Sequence, residues 1–175
     1  NSYGGVSLQA LVKEEMREKY PDLDLILLDG RKHTVYSITE KISTLPEKTA
    51  ILLGTWRVDK NDGYFMRNAT YSMMMTNPGL PAFTVTSIGM GYWATGGRVP
   101  EYRTVGKDIA RLVIGLENQS DSVLSEQGLQ IIPNQYCFDY EKLRKGNFLN
   151  KEVAKGALFY NKKLSYFEEY KYQII

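Results

Sequence analysis

Thr34-Val35-Tyr36-Ser37-Ile38-Thr39-Glu40-Lys41-Ile42-Ser43-Thr44-Leu45-Pro46, followed by Ala50-Ile51-Leu52-Leu53-Gly54, is the stretch on which the fold reading turns. Val35, Ile38, Ile42 and Leu45 recur at helical spacing, and Pro46, which cannot continue a helix, closes the run. Ala50 to Gly54 is a short continuous apolar run, the pattern of a strand buried on both faces. An equivalent pair of signals precedes it. Val6, Leu8, Leu11, Val12 and Met16 put an apolar stripe on residues 7–20, with Ser7 as N-cap and Pro21 as the stop. Leu23-Asp24-Leu25-Ile26-Leu27-Leu28 then reads as a buried strand ending at Asp29-Gly30. The first third is expected to run α-β-α-β, which calls for parallel strands with helices packed on the sheet.

Beyond this point the signals alternate less regularly. Asp59-Lys60-Asn61-Asp62-Gly63 is a polar turn. Asn68 caps a helix running to Met75, and Asn77-Pro78-Gly79 ends it. Ala82-Phe83-Thr84-Val85-Thr86 is β-branched and aromatic, a third strand, and leads into a glycine-rich stretch from Gly89 to Gly97. Residues 101–118 form the clearest helix, with Val105, Ile109, Leu112, Val113 and Leu116 on one face and Lys107 and Arg111 on the other. Residues 129–133 and 135–138 read as short strands. Residues 140–144 read as a helical turn stopped by Gly146, and residues 167–175 as a terminal helix. Residues 151–163 fit a helix or a strand. The expected architecture is a three-layer α/β/α domain with a mostly parallel sheet over residues 1–133, followed by an irregular C-terminal extension over 134–175.

Composition narrows the chemistry. The 175 residues suit one domain, with 43% hydrophobic residues to fill a core. Lys and Arg number 22 against 20 Asp and Glu, a net charge of +2 that makes no case for nucleic acid or a membrane surface. One cysteine, Cys137, excludes an intramolecular disulfide and a Cys-rich zinc site. One histidine, His33, leaves no His-pair metal site, and every Ser-His-Asp or Cys-His scheme would have to run through it. No apolar run reaches the roughly 18 residues that a membrane span needs. The opening Asn1-Ser2-Tyr3-Gly4-Gly5 and the close Tyr170-Lys171-Tyr172-Gln173-Ile174-Ile175 read as the ends of a segment excised from something larger.

Gly89-Met90-Gly91-Tyr92-Trp93-Ala94 fits the loose G-x-G-x-x-A dinucleotide pattern after a strand. That chemistry needs a helix to begin there, so that free N–H groups face a pyrophosphate. Thr95-Gly96-Gly97 and Pro100 resist a helix, so a tight glycine turn is the reading. The carboxylate pairs Glu14-Glu15 and Glu168-Glu169 sit beside Lys or Arg on helical stretches, as solvated faces do. Trp56-Arg57-Val58-Asp59 is more suggestive, because it leaves the carboxyl end of a buried strand, where ligands bind in open α/β sheets. An aromatic face, a guanidinium and a carboxylate suit a sugar or a carboxylated metabolite. Trp56, Arg57, Asp59, Tyr92 and Arg98, all on expected strand-end loops, are the candidate ligand-binding residues. No catalytic residue, metal ligand or cofactor is expected.

A resemblance sharpens this reading. Gly91-Tyr92-Trp93-Ala94-Thr95-Gly96-Gly97, leading into Tyr102-Arg103-Thr104-Val105-Gly106-Lys107-Asp108-Ile109-Ala110, resembles the G-x-G-x-x-G-G and Y-x-x-G-x-x-A-A run of ABC-type substrate-binding domains of the type I periplasmic fold. Asn134-Gln135-Tyr136-Cys137-Phe138-Asp139-Tyr140-Glu141-Lys142-Leu143 is similar to the N-x-x-x-x-D-Y-x-x-L segment of extracellular sensor domains in hybrid two-component histidine kinases. Gly156 to Asn161 with Ser165 to Lys171 resembles that family's close before its membrane helix. Trp93 stands where the family has glycine, and Phe167 where it has tryptophan. The resemblance implies a flavodoxin-like second lobe plus juxtamembrane tail, periplasmic, belonging to a parent anchored in the bacterial inner membrane. It implies ligand binding rather than catalysis, with a small-molecule ligand and a possible homodimer. The alternatives are a free solute-binding component of an ABC transporter, a nucleotide-dependent enzyme on a Rossmann-like sheet, and an interaction module whose dimer contacts draw on the 13 tyrosines.

Overall fold

The computed structural model of the chain describes residues 3–63, 67–100, 102, 105–116 and 132–163. In chain order the helices are α1 (Tyr3–Lys19), α2 (Val35–Ser43), α3 (Arg67–Met74), α4 (Val105–Leu116), α5 (Tyr140–Lys145) and α6 (Lys151–Ala154). The strands are β1 (Ile51–Leu53), β2 (Ala82–Thr84), β3 (Gly96–Pro100), β4 (Asn134–Asp139) and β5 (Leu158–Tyr160). They form one sheet in the order β1-β2-β3-β4-β5. β1–β2, β2–β3 and β4–β5 are parallel, and β3–β4 is antiparallel. The fold is thus α/β with a mostly parallel sheet. Residues 134–160, read from sequence as the start of an extension, contribute two of the five strands.

Local chemistry explains the helix ends. Thr34 is the N-cap of α2: its side chain accepts from the Ser37 N–H, and the Ser37 hydroxyl returns a contact to the Thr34 N–H. Such a reciprocal cap is worth about 0.5–2 kcal/mol. The end of α2 is also reached from afar, since Asn77 Nδ2 donates at 3.1 Å to Ile42 O, which already accepts from Leu45 N, and at 3.2 Å to Leu45 O just past the helix. The same two bonds dock the turn after α3 onto α2. Asp139 caps α5 by accepting from Lys142 N, and Gly146 ends it.

Register assigns the sheet residues to two faces, because laterally paired residues point the same way and successive ones alternate. Ile51, Leu53, Ala82, Val99, Cys137, Leu158 and Tyr160 share the face that packs against Ile38 and Ile42 of α2, Met73 and Met74 of α3, and Met90, Trp93 and Ala94 of the connection before β3. Each large side chain buried here contributes about 1.5–3 kcal/mol. Leu52, Phe83, Gly96, Phe138 and Phe159 form a row on the other face, with Arg98 beside Tyr136. Leu52 and Tyr136 stay about half exposed there.

Four expectations are corrected. Residues 23–28 are not a strand: Leu23, Leu25 and Ile26 are exposed, and only Leu28 reaches the core. The run forms no ladder, although β1 pairs with β2 alone and its other side is an open edge. Helix α1 begins at Tyr3, which puts Ser7 inside the helix, and α3 begins at Arg67, which puts Asn68 inside. The central strand, β3, begins at Gly96 and Gly97, inside the stretch whose composition reads as glycine-rich turn. The strands expected at 129–133 and the helix at 167–175 fall largely or wholly outside the described residues. Among the described residues no helix is long and apolar enough to cross a membrane.

β3 is glycine-rich for a steric reason. A Cβ on Gly97 would run into the Thr84 carbonyl oxygen of β2, and one on Gly96 into the ring of Phe138 on β4. Gly97→Ala should therefore lower stability by about 1–3 kcal/mol, the usual cost of overpacking. Gly106→Ala, where an added Cβ meets nothing, should raise it by about 0.5–1 kcal/mol. Urea unfolding of the two variants against the parent chain measures both.

Candidate functional site

The connection from β2 to β3 starts at the carboxyl edge of the parallel strands and finishes at their amino edge. Its first turn is set by hydroxyls. Thr86 N donates to Thr84 Oγ1 at 3.2 Å, and Ile88 N donates to Thr86 Oγ1 at 3.4 Å. Its second turn uses left-handed glycines, Gly89 at φ +85° and Gly91 at φ +78°. The Ala94 and Tyr92 N–H groups both donate to Gly89 O at 3.0 Å. No helix begins at this turn, so the glycines shape a loop and do not open a dinucleotide site.

At the amino edge this connection is tied down by a buried carboxylate. Asn161, itself at φ +53°, donates through Nδ2 to Asp139 Oδ2 at 2.7 Å and to Gly91 O at 3.1 Å. The Asp139 N–H donates to Thr95 O at 2.9 Å, and Thr95 N donates to Ala82 O at 2.7 Å. Glycine turn, β2, β4 and the residue after β5 are thereby joined in one hydrogen-bonded knot.

The opposite edge is open. A cavity of about 240 Å³ lies where β3 ends beside the start of β4, lined by Ser87, Val99, Pro100, Tyr102, Gln135, Cys137 and Tyr160. Val99 pairs with Gln135 and Gly97 with Cys137, so the antiparallel register sets the Val99, Gln135 and Cys137 side chains together on the helix-covered face. Gln135 Nε2 lies 3.7 Å from the buried Cys137 Sγ. The lining offers three hydroxyls, an amide and a thiol between apolar walls, and no carboxylate, ammonium, guanidinium or imidazole. Hydrogen bonding to an uncharged polar molecule is the chemistry this set performs well. Among the described residues no group of His, Cys, Asp and Glu is placed to hold a metal ion.

The five residues singled out from the sequence do not converge. Trp56 packs against the core and donates from Nε1 to Val58 O at 3.0 Å, close enough to Gly30 that no Cβ fits there. Arg57 is exposed. Asp59 is buried, and its carboxylate is used by the backbone: Oδ1 accepts from Asn61 N at 2.9 Å and Gly63 N at 3.1 Å, and Oδ2 from Val35 N at 3.3 Å. It closes its own turn and caps α2, which is a structural duty. Tyr92 is 75% exposed in the glycine turn near the amino edge. Arg98 stands on the other face of the sheet, its guanidinium 5.8 Å from the centre of the Tyr136 ring. The alternation Gln135-Tyr136-Cys137-Phe138 carried a period-two signal for the cavity wall, and Ser87 follows a strand end. Tyr102 and Tyr160 arrive through tertiary folding alone.

Two carboxylates near α1 and α2 are held in the charged state. Burial works to raise the Asp59 pKa, but the N–H groups of Asn61, Gly63 and Val35 together, with Lys60 nearby, leave it below the ordinary value. The hydrogen bonds of the Arg31 guanidinium hold Asp29 well below the carboxylate range, against burial and with help from Arg31 N and Gln9. Arg31 also donates to Gln9 Oε1 at 3.0 Å, which fastens α1 to this turn. A carboxylate with a depressed folded pKa stabilises fully above its unfolded value, about 3.9, and loses that contribution as pH falls through the folded value. Asp29→Asn and Asp59→Asn should each be less stable than the parent at neutral pH, and should show a smaller further loss below about pH 4. Denaturant unfolding across that range tests this, and an unchanged acid slope would contradict the assignment.

Comparison of the chain with protein-family models, with curated proteins and with solved structures finds no match.

Proposed function

We propose that the chain is the small-molecule-binding lobe of a periplasmic sensor domain in a hybrid two-component histidine kinase, built on the three-layer plan of type I periplasmic-binding proteins. The observation that carries the reading is the uncharged, hydroxyl- and amide-lined cavity at the carboxyl edge of β3, the edge where open α/β sheets receive ligands. The motif run from Gly91 to Ala110 and the segment from Asn134 to Leu143 support it from the sequence side.

Of the two ligand classes that the sequence suggests, a neutral sugar or polyol fits better than a carboxylated metabolite. A carboxylate entering the cavity would meet no cation among its lining residues, and would lose its hydration without a partner. A polyol exchanges water for Ser87, Tyr102, Gln135 and Tyr160 and lays its C–H face against Val99 and Pro100. Binding acts on the parent only through differential affinity: the ligand favours the arrangement of lobes or protomers in which the cavity is completed. The chain itself performs no bond-making step in this scheme. The bias passes through the segment after β5 to a membrane helix and the kinase beyond it.

A thermal-shift and calorimetry panel of neutral monosaccharides and polyols, set against dicarboxylates and sugar phosphates, tests the ligand class. A neutral ligand at 100-fold its Kd adds about 2.7 kcal/mol, a rise in Tm of roughly 5–10 °C for a chain of this size. Ser87→Leu, which fills the mouth from a solvent-exposed position, should abolish the rise while leaving the unliganded Tm in place. Binding of charged metabolites alone, or neutral binding indifferent to Ser87→Leu, would defeat the assignment. A coding sequence continuing past Ile175 into about 20 apolar residues supports the sensor. A stop codon there would favour a free solute-binding component.

A further inference from the structure

Two apolar surfaces of this chain lack a partner among the described residues, and they match each other. The first is the sheet face opposite the core, where Leu52, Phe83, Tyr136 and Phe138 line a cleft of about 300 Å³. Tyr136 and Phe138 are stacked on it with centroids 6.2 Å apart, and Arg98 lies over Tyr136. Leu52 and Phe83 come to this face from the parallel strands β1 and β2, a kind of strand usually covered on both faces. The second surface is α4. Every residue from Gly106 to Gly115 is exposed, including Ile109 and Val113 at more than half of their surface, and these share a stripe with Leu112. A 12-residue helix standing free in water is marginal, and its stability has to come from packing that stripe.

From these observations the geometry points to a reciprocal homodimer in which α4 of each copy lies on the open sheet face of the other. The dimensions agree: α4 is about 18 Å long, and six-residue β4 runs about 20 Å. The charges agree as well. Among the described residues Arg98 has a ring contact but no carboxylate, whereas Asp108 flanks the apolar stripe of α4, exposed and 3.4 Å from Arg111. A two-fold axis makes the exchange twice per dimer and covers both surfaces on both copies. The inference is independent of the ligand reading, since this face lies across the sheet from the cavity.

Light scattering across a concentration series, followed by cysteine crosslinking, tests it. The parent chain should approach twice its 20.0 kDa mass. Val113→Glu and Tyr136→Glu, both on exposed side chains, should each return the mass to one chain and remove the dependence of Tm on protein concentration that the parent shows. In the double variant Val113→Cys/Tyr136→Cys, oxidation should link two chains, while neither single variant does so; Cys137, being buried, stays silent. A single-chain mass throughout the series overturns the proposal. So does an intrachain crosslink, which would put α4 on its own sheet. Linkage by Val113→Cys alone overturns it too, since that would show helix against helix.

Discussion

The close approach of β3 to its two neighbours is the constraint on which the structure depends. Gly96 and Gly97 let the strand lie against Thr84 O of β2 and under the Phe138 ring of β4. That contact joins the parallel half of the sheet, β1-β2-β3, to the pair β4-β5. It also places Val99 beside Gln135 and Arg98 beside Tyr136, so the cavity wall on one face and the aromatic cleft on the other come from one register. Side chains at the two glycine positions would push the strands apart and displace both.

The two edges of the sheet are treated differently. At the amino edge, Asn161 binds the glycine turn to β4 and β5 through a 2.7 Å, half-buried hydrogen bond to the buried Asp139 carboxylate and an exposed one to Gly91 O. Toward the carboxyl edge, Ser87, Pro100, Tyr102 and Gln135 border open volume, and Tyr160 reaches it from the end of β5 opposite Asp139.

The sequence was legible wherever the deciding chemistry was local. The helical period of Val35, Ile38 and Ile42 marked α2, Gly146 marked the end of α5, and the continuous apolar run marked β1. It misled where a strand needed a neighbour. Residues 23–28 carry a stronger apolar run than β3 does, yet they form no ladder, whereas Gly96-Gly97-Arg98-Val99-Pro100, poor in strand formers, takes the centre of the sheet. The candidate site fared similarly. The strand-end rule chose Asp59, whose oxygens are claimed by the N–H groups of Val35, Asn61 and Gly63. It also chose Arg98, whose parity in β3 turns it to the far face.

By itself, then, the amino-acid sequence determined the helical period of α2, the apolar run of β1 and the proline and glycine stops, and its composition leaves one His and one Cys for any metal or triad chemistry. Each of these follows from residues within a few positions of one another, or from composition. Which runs pair, which sheet face the helices cover, and whether a buried carboxylate serves a ligand or the backbone were decided only in three dimensions. Those outcomes rest on partners far apart along the chain: Asp59 with Val35, Asn161 with Gly91, Gly97 with Cys137. Their free energy exists only once the sheet has assembled.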